Sequence, residues 1–450
     1  MEMLSDLLKA LEPVLLGTTG DLTVRFTGVS TDTRTVKQGN VFVALSGERF
    51  DAHQFVGVAV AAGAVAVIVN RPVAADVPQI IVSDTGLAYG LSAKAWRSRF
   101  AIPLTVVAGS NGKTTTTQML ASILRVRWGE ERMCATQGNF NNEVGVPRML
   151  WTLDFEHRGA VIECGMNHPG EMARLADWTR PTVALLTNAQ REHQEFLSGV
   201  EATAHENGLV IVSLPETGTA VFPADDDCAD IWAGLAMARG VQTLTYATEE
   251  GVDADVTGRL VEDILVINTP EETFSVRLSI AGAHNVHNAL GAAAAALAMG
   301  IDTESIVRGL EVFRALPGRG ERTRSASGNL LIIDDAYNAN PDSVRASMRL
   351  LSREVGPRIF VLGDMAEVGD ECEAVHREVG SYARELGLDA LYASGENSRF
   401  ATEAFGDKGC WYATKEELIA GLGSVASGTV VVKASHSMGF AEVVKALKSR

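Results

Sequence analysis

Cysteine is scarce in this 450-residue chain, and its five cysteines lie far apart. Because no C-x-x-C pair occurs, the sequence indicates neither a zinc knuckle nor a disulfide framework. Buried, reduced thiols are the expected state of these side chains. The cysteines are Cys134, Cys164, Cys228, Cys372 and Cys410.

Positive charge is also in short supply. The chain has 39 Lys and Arg residues against 56 Asp and Glu residues, which gives a formal net charge of −17. Without a basic patch, a protein has little with which to neutralise the phosphates of a nucleic acid. We therefore expect no nucleic-acid partner.

Long apolar runs are missing as well. The most apolar stretch, residues 55–69, contains Gly63 and is too short to span a bilayer. The first six residues lack the positively charged region of a signal peptide. We expect a cytoplasmic protein with no membrane partner, and the length suggests two to four domains.

A phosphate-binding pattern stands at residues 103–117, Pro-Leu-Thr-Val-Val-Ala-Gly-Ser-Asn-Gly-Lys-Thr-Thr-Thr-Thr. It predicts a buried strand, a glycine loop and a helix N-terminus, where backbone N–H groups and the helix dipole favour an anion. Lys113 can reach the terminal phosphates of a nucleotide, and the Thr114 hydroxyl can bind Mg²⁺. The loop is shorter than G-x-x-x-x-G-K-[ST], because Val107 stands where that pattern has its first glycine. A plain glycine turn is the alternative, but the lysine and threonine favour an ATP site. Its predicted residues are Gly109, Ser110, Asn111, Gly112, Lys113, Thr114 and Thr115.

Polar side chains end two further predicted strands. Glu163 ends the apolar run 159–163, and His193 follows the run 182–188. Ligands of open α/β sheets bind at the carboxyl ends of strands, so these two residues could hold Mg²⁺ beside the phosphate loop. For Glu163 alone, a solvated strand end is the competing interpretation.

For three other sets of polar residues, two interpretations stay open. Asn139, Asn141 and Asn142 lie in a loop rich in Asn and Gly, which suits either turns or hydrogen bonds to a sugar or phosphate. The pair Asp32 and Arg34 lies near a predicted strand, and so does the pair Asp51 and His53. For both pairs, turn and cap chemistry is at least as good an interpretation as ligand binding.

The order of patterns predicts an α/β protein with three domains. Residues 1–85 combine a helix at 4–15 with short strands at 39–45, 64–69 and 79–82. Residues 86–314 form a central domain like P-loop ATPases, with a parallel sheet and antiparallel strands in 241–280. Residues 315–450 alternate strands with helices, which predicts a Rossmann-like parallel sheet. The strands predicted there are 330–334, 359–362, 390–394, 411–413 and 429–433.

The spaced motifs resemble the Mur ligase family over essentially the whole chain. They are Gly-Ser-Asn-Gly-Lys-Thr, Gly-Asn-x-Asn-Asn-x-x-Gly-x-Pro, Glu163, His193, His-Asn-x-x-Asn, Pro-Gly-Arg and Asp-x-Tyr-Asn-Ala-Asn-Pro. The resemblance is closest to the members that add D-alanyl-D-alanine to UDP-N-acetylmuramoyl-tripeptide. It implies an ATP-dependent peptide ligase of peptidoglycan precursor synthesis that works through an acyl phosphate.

The resemblance also implies roles for residues. Lys113, Glu163 and His193 would be catalytic, with Thr114, Glu163 and His193 as Mg²⁺ ligands. Asn285 and Asn288 would contact the nucleotide near adenine, while Arg319 and Asp335 would reach its phosphate and ribose when the third domain closes. The first domain would hold the UDP moiety. The substrate residues are Ser30, Asp32, Arg34, Gly47, Phe50, Asp51, His53, Asn139, Asn141, Asn142, Tyr337, Asn338 and Asn340.

Two positions depart from the family pattern. Members carry a carbamoylated lysine about a dozen residues after the histidine, but residues 201–208 contain none, and Glu206 could substitute. Near the C-terminus, His436 stands where an arginine is expected, and an imidazole cannot make the bidentate contact of a guanidinium.

Three alternatives remain at this point: a sister ligase adding a diamino acid to the muramoyl-dipeptide, a folylpolyglutamate synthetase-like enzyme, and a non-catalytic nucleotide-binding regulator. The third residue of the tripeptide is not predicted. We expect a monomer with open and closed states.

Overall fold

The structure, a computed structural model, describes residues 2–47, 50–192, 197, 199–366 and 368–450. The predicted catalytic residue His193 lies outside these residues. In the described chain, no helix is long and apolar enough to cross a membrane.

Within the described residues, the first sheet has five strands in the order β2-β7-β6-β5-β4. Four of them run parallel, and β2 pairs antiparallel with β7. Apolar residues on both faces bury the sheet, as expected for a parallel sheet covered by helices. The elements are β1 (Glu2–Met3), α1 (Leu4–Leu11), β2 (Leu15–Thr19), β3 (Arg25–Phe26), β4 (Gly28–Ser30), β5 (Asn40–Val43), α2 (Val56–Ala61), β6 (Ala66–Val69), β7 (Gln79–Val82) and α3 (Thr85–Arg97).

The predicted first helix, residues 4–15, is too long. Helix α1 ends at Leu11, and Leu15 already begins β2. Pro13 explains the difference, because proline has no backbone N–H with which to continue the helical hydrogen bonds. The apolar spacing therefore continues for one turn beyond the helix itself.

Helix α3 contributes to two cores. Ala88 and Tyr89 pack in the first domain, whereas Ala93 belongs to the central core. A side chain at Gly90 would stand 2.2 Å from the Trp178 ring, so the helix fits closely against the central domain. The boundaries 1–85, 86–314 and 315–450 stay predictions, and α3 is shared across the first of them.

The described part of the central sheet has nine strands in the order β16-β15-β14-β13-β12-β11-β8-β10-β9. Strands β8 to β14 pair in parallel, and β14, β15 and β16 form the antiparallel extension. The elements are β8 (Leu104–Ala108), α4 (Lys113–Trp128), β9 (Met133–Ala135), α5 (Gly145–Leu150), β10 (Gly159–Glu163), α6 (Glu171–Thr179), β11 (Val183–Leu186), α7 (Val200–Val212), β12 (Thr219–Pro223), α8 (Ala229–Arg239), β13 (Gln242–Ala247), β14 (Val256–Val261), β15 (Ile264–Asn268), β16 (Thr273–Arg277), α9 (Ala283–Ala298) and α10 (Thr303–Val312).

The antiparallel strands expected in 241–280 are β14, β15 and β16, whereas β13 in the same region pairs in parallel with β12 and β14. Only the tight turn between β14 and β15 starts the antiparallel part. Strand β8 lies between β10 and β11, so Val107 pairs with both Glu163 and Leu185. This register brings the ends of three neighbouring strands to the phosphate loop.

The third sheet, in the described chain, has six strands in the order β17-β18-β22-β19-β20-β21. All predicted strands of this region are present and parallel, and β17 adds an antiparallel edge. Helices cover both faces of the sheet. The elements are β17 (Glu321–Arg324), β18 (Leu330–Asp334), α11 (Pro341–Ser352), β19 (Arg358–Gly363), α12 (Cys372–Glu385), β20 (Ala390–Ser394), α13 (Ser398–Phe405), β21 (Gly409–Tyr412), α14 (Lys415–Gly421), β22 (Gly428–Lys433) and α15 (Ala441–Lys448).

The cysteines are less uniformly buried than expected. Cys134, Cys164 and Cys228 are buried, and burial raises the pKa of Cys134 to about 11. Cys372 and Cys410 are only half-buried, because they lie at the start of α12 and on the edge strand β21. Three thiols therefore belong to the core and two to its margin.

A buried histidine fixes the loop after β19. His376 is fully buried; its Nε2 accepts the Met365 N–H at 3.1 Å, and its Nδ1 donates to the Cys372 carbonyl at 2.6 Å. Burial lowers the pKa of His376 despite the Cys372 carbonyl and the Asp364 carboxylate, which act in the opposite direction. Only a neutral imidazole can accept the Met365 N–H.

We predict that His376 makes the protein sensitive to mild acid. Since its pKa is lower in the folded than in the unfolded state, its neutral form contributes fully above about pH 6.5, and stability falls as the pH drops below that value. Thermal melting at pH 7.5 and 5.5 should show a loss that is smaller in H376Q than in the parent. H376Q should itself be destabilised by roughly 1–3 kcal/mol at pH 7.5. The control is His205→Gln, which changes an exposed histidine. If H376Q kept the pH dependence of the parent, His376 would not be the cause of the acid sensitivity.

Candidate active site

The phosphate loop is shaped by hydrogen bonds from neighbouring elements. The Gly109 N–H donates to Asn207 Oδ1 on α7 at 3.0 Å. The Ser110 and Asn111 N–H groups donate to the carbonyl and side-chain oxygens of Asn188, at 3.0 and 2.9 Å. These three donors hold the loop itself, so the donors left for a phosphate are those of the first turn of α4.

Both glycines of the loop are required by their surroundings. Gly109 has φ +120°, and a Cβ there would stand 2.3 Å from Thr187 Oγ1. Gly112 has φ +82°, and its Cβ would stand 2.3 Å from Asn288 Oδ1. The structure thus places the predicted nucleotide residue Asn288 directly against the loop.

Lys113 begins α4 and folds over the loop. Its Nζ donates to the carbonyls of Gly109 and Ser110, at 2.5 and 3.0 Å, and lies 3.4 Å from the Glu192 carboxylate. The N–H groups of Lys113, Thr114 and Thr115 occupy the first turn of the helix, where no intrahelical acceptor is available. Positive charge and free donors therefore meet at one point, which suits a polyphosphate.

Glu163 fits a cation site. Its side chain is 2% exposed, and Oε1 accepts from Asn141 Nδ2 at 2.7 Å. Oε2 is buried and has no hydrogen-bond partner among the described residues. A buried carboxylate oxygen without a donor is a strong ligand for a hard cation such as Mg²⁺. The described chain contains no cluster of three His, Cys, Asp or Glu residues that could hold a metal.

The three asparagines after β9 were predicted either to form turns or to bind a ligand, and the structure gives them different surroundings. Asn141 holds Glu163. Asn142 accepts the N–H groups of Val144 and Gly145 in the turn that leads into α5, which is turn chemistry. Asn139 instead lines a cleft of about 810 Å³ that also contains Thr114.

The third domain forms the opposite wall of this cleft. The Arg319 guanidinium lies 3.9 Å from the centre of the Tyr337 ring, and that ring lies 5.1 Å from the His436 ring. All three residues line the cleft. A cationic group stacked on aromatic rings and facing the phosphate-loop helix can receive an anionic group between the two domains.

Other predicted nucleotide and third-domain residues are engaged within the protein. Asp335 accepts from Ser347 Oγ at 2.6 Å and from Lys433 Nζ at 2.7 Å. Asn285, in the first turn of α9, donates to the Ala281 carbonyl at 2.7 Å. Asn338 is exposed and accepts the N–H of the residue after it.

Asn340 has two partners. Its Oδ1 accepts the Ser343 N–H at 2.9 Å and caps α11, and its Nδ2 donates to Asn111 Oδ1 at 2.9 Å. The predicted substrate residue therefore connects the third domain to the phosphate loop.

The first-domain candidates form local polar networks, and the described ones do not line the cleft. Ser30 bonds Thr35 at 3.0 Å, and Asp32 holds Arg34 in a bidentate pair that lowers the pKa of the Asp32 carboxyl to about 2. Arg34 is 87% exposed on its side chain, so its outer face is open to an anion.

His53 is not presented to a ligand. Its side chain is 2% exposed, with Nδ1 bonded to Asp51 at 2.6 Å and Nε2 accepting the Asn70 N–H at 3.0 Å. The Arg71 guanidinium and then the His53 groups hold the pKa of Asp51 well below its usual range. Here the turn-and-cap interpretation describes the geometry. Phe50 is exposed and stacks on Phe55 at 5.6 Å, and the Gly47 N–H donates to the Phe50 carbonyl.

Comparison with known proteins decides the family. Residues 25–95 match the model "Mur ligase family, catalytic domain", residues 107–296 match "Mur ligase middle domain", and residues 318–436 match "Mur ligase, glutamate ligase domain". The UDP-N-acetylmuramoyl-tripeptide–D-alanyl-D-alanine ligase of Escherichia coli (strain K12) is 38% identical over 457 residues, covering 99% of each chain. The chain belongs to the Mur ligase family.

Solved Mur ligases share the whole architecture. Crystal structure I of MurF from Acinetobacter baumannii covers 99% of this chain and 98% of its own, with 33% identity and a TM-score of 0.90. MurF ligase from Thermotoga maritima in complex with ADP covers 96% of this chain and 98% of its own, with 25% identity and a TM-score of 0.81. The predicted three-domain α/β fold is confirmed.

In this Mur ligase, Glu206 stands in the segment that lacks the family's lysine, and its side chain is bonded to the start of another helix. Its Oε1 accepts the N–H groups of Gly170 and Met172, at 2.6 and 3.3 Å, at the start of α6. The carboxylate is thus used to cap a helix whose N-terminus attracts negative charge. That Glu206 substitutes for the lysine stays a prediction.

Asn207 and Arg191 were missed by the sequence interpretation. Asn207 is 1% exposed and holds Gly109, while Arg191 bonds two carboxylates of the third domain. The absence of lysine in 201–208 drew attention to the segment, but the identity of the partner depends on tertiary structure.

We predict that Asn207→Leu weakens nucleotide binding. Leucine has a similar volume but leaves the Gly109 N–H without an acceptor, which should lower ADP affinity roughly 5- to 50-fold through a loop that is no longer held. Isothermal titration with ADP measures this directly. Asn40→Ala removes a buried amide of the first domain that accepts the Lys37 N–H at 2.9 Å, so it should lower stability without changing ADP affinity. Equal ADP affinity in N207L and the parent would show that the contact is dispensable.

Proposed function

We propose that this Mur ligase uses ATP to join D-alanyl-D-alanine to UDP-N-acetylmuramoyl-tripeptide, a step of peptidoglycan precursor synthesis. The observation that carries the proposal is the cleft of about 810 Å³ beside the phosphate loop, walled by the central and third domains. The substrate is inferred from the name of the Escherichia coli relative, which matches 99% of this chain.

The first chemical step transfers the γ-phosphoryl group to the tripeptide carboxylate. A carboxylate oxygen attacks the γ-phosphorus, the bond to the β,γ-bridging oxygen breaks, and ADP leaves with its electrons. Such transfer depends mainly on positioning and charge neutralisation. Lys113 supplies a cation, and the first-turn N–H groups of α4 supply donors that need no reorganisation.

The second step forms the peptide bond. The dipeptide amine attacks the carbonyl carbon of the acyl phosphate, a tetrahedral intermediate forms, and phosphate leaves as the amine loses a proton. The Arg319–Tyr337 stack faces the cleft from the third domain, where its guanidinium can neutralise the departing phosphate. His436 lies beside it and would contact the amino substrate in place of the expected arginine.

Magnesium fits the residues present. Thr114 and Glu163 would hold it, with the unpartnered Glu163 Oε2 as the strongest ligand, and we extend the set to His193. Bound there, Mg²⁺ would neutralise phosphate charge. Asn141 orients the Glu163 carboxylate, and Thr136 Oγ1 accepts the Glu163 N–H at 2.8 Å, so the strand end is fixed before any ligand arrives.

The remaining parts of the proposal are assignments of substrate groups. We place UDP on the first domain, with the Asp32–Arg34 pair and the exposed Phe50 ring as its best contacts. We further propose a cytoplasmic monomer with no nucleic-acid or membrane partner. The substrates are then small molecules only: ATP, the muramoyl-tripeptide and the dipeptide.

The decisive test of the activity is phosphate release from ATP. Release should require both UDP-N-acetylmuramoyl-tripeptide and D-alanyl-D-alanine, because the acyl phosphate forms on one and is consumed by the other. The matched control is UDP-N-acetylmuramoyl-dipeptide with a diamino acid, which the sister ligase would use. Release with the control pair alone would replace the proposal by the sister activity. No release with either pair would favour a non-catalytic nucleotide-binding protein.

We predict that Glu163→Gln lowers turnover on the order of 100-fold, since it removes the charged ligand of the Mg²⁺ that would neutralise the phosphates. The Mg²⁺ concentration for half-maximal rate should rise, because a neutral amide oxygen is a weaker ligand. Glu143→Gln changes a half-buried glutamate of the preceding loop that pairs with Arg174, and it should leave both quantities unchanged. An E163Q enzyme with the parent's Mg²⁺ dependence would rule out the ligand role.

A further inference from the structure

The segment that follows β11 touches both the phosphate loop and the third domain. On one side, Gln190 donates its N–H to Ser110 Oγ at 2.9 Å and accepts from Asn111 Nδ2 at 2.6 Å. The Glu192 carboxylate lies 3.4 Å from Lys113 Nζ. Between these two residues, Arg191 points the other way, toward the third domain.

Arg191 binds two carboxylates of the third domain. Its Nη2 donates to Asp342 Oδ1 at 2.7 Å, and its backbone N–H donates to Asp342 Oδ2 at 3.0 Å. Its Nη1 donates to Glu378 Oε2 at 2.8 Å. The two carboxylates raise the pKa of the Arg191 guanidinium, and Arg191 in turn lowers the pKa of Glu378.

The two acceptors come from different helices. Asp342 lies in the first turn of α11, and Glu378 lies on α12, where Arg345 also donates to it at 2.9 Å. The guanidinium side chain is 32% exposed, and the two carboxylates are 24% and 34% exposed. Planar, charge-assisted bonds at partly buried positions are stronger than ordinary surface ion pairs.

A second contact ties the same helix to the loop itself. Asn340, the cap of α11, and Asn111 of the phosphate loop exchange hydrogen bonds through their amides, at 2.9 and 3.3 Å. Thus the N-terminus of α11 meets the central domain at two points, Asn111 and Arg191.

We propose that Arg191 is a positioning residue that docks the third domain onto the phosphate loop, by bridging Asp342 and Glu378. Docking aligns the Arg319–Tyr337 wall of the cleft with the loop, so that the ATP and the amino substrate meet at one place. This inference rests on the proposed ligase function for its kinetic consequence, but the docking contact stands on the geometry alone.

The test compares R191A with a matched control, R322A. Arg322 is also 32% exposed and also makes a bidentate pair, with both guanidinium nitrogens 2.9 Å from Glu354, but both of its residues lie in the third domain. Small-angle scattering of the full chain should give a larger radius of gyration for R191A and the parent radius for R322A. Turnover of R191A should fall roughly tenfold, because the variant loses a charge-assisted pair that forms only when the third domain is docked.

Two further variants separate docking from general destabilisation. If Arg191 and Asp342 act through one contact, R191A/D342N should lose no more turnover than R191A, because coupled residues are not additive. Asn340→Asp keeps a good helix cap but removes the amide donor to Asn111 Oδ1, so it should lower turnover with little change in melting temperature.

The outcomes are distinct. An unchanged radius of gyration in R191A, or an equal loss of turnover in R322A, overturns the proposal. The scattering comparison needs no turnover, so it decides the docking role even where the ligase assay gives no phosphate release with any substrate pair.

Discussion

The backbone of Gly109 is held by hydrogen bonds at both its N–H and its carbonyl, and the geometry of the site depends on these two bonds. Its N–H donates to Asn207 on α7, and its carbonyl accepts from Lys113. To satisfy both, the residue takes φ +120° and approaches Thr187 so closely that no Cβ fits. This explains why a loop shorter than the common phosphate-binding pattern still aims the N-terminus of α4 at a ligand. The shape comes from the elements around the loop as much as from its own glycines.

The strand β11 has a comparable role, because the residues after it face in three directions. Asn188 binds the backbone of the phosphate loop, Glu192 lies near Lys113, and Arg191 reaches the third domain. A short peptide segment therefore connects nucleotide chemistry to domain position without any long-range rearrangement.

Local patterns predict most of the fold and part of the site. The apolar runs of the third domain become the strands that they indicate, and the loop at 109–114 lies where the glycines place it. The features that were not predicted depend on contacts between residues far apart in the sequence. Asn207 lies 98 positions from Gly109, and Arg191 lies 151 positions from Asp342, so no local pattern marks either pair. The parallel pairing of β13 was not predicted for the same reason, because the sequence of a strand does not state the direction of its neighbour.

Electrostatics decides what the strand end at Glu163 can be. A solvated strand-end carboxylate would satisfy both oxygens with water, yet this side chain is 2% exposed, and only Oε1 has a donor. Leaving a buried oxygen without a partner costs on the order of 1–3 kcal/mol, a cost that packing alone does not repay. Register fixes the position: pairing of β10 with β8 sets Glu163 opposite Val107, two residues before the phosphate loop begins. Among the described residues of the site, Glu163 is a carboxylate with a buried oxygen that no donor satisfies. The negative charge of this strand end is therefore concentrated on one buried oxygen, and the amide of Asn141, which holds the other oxygen, orients the carboxylate.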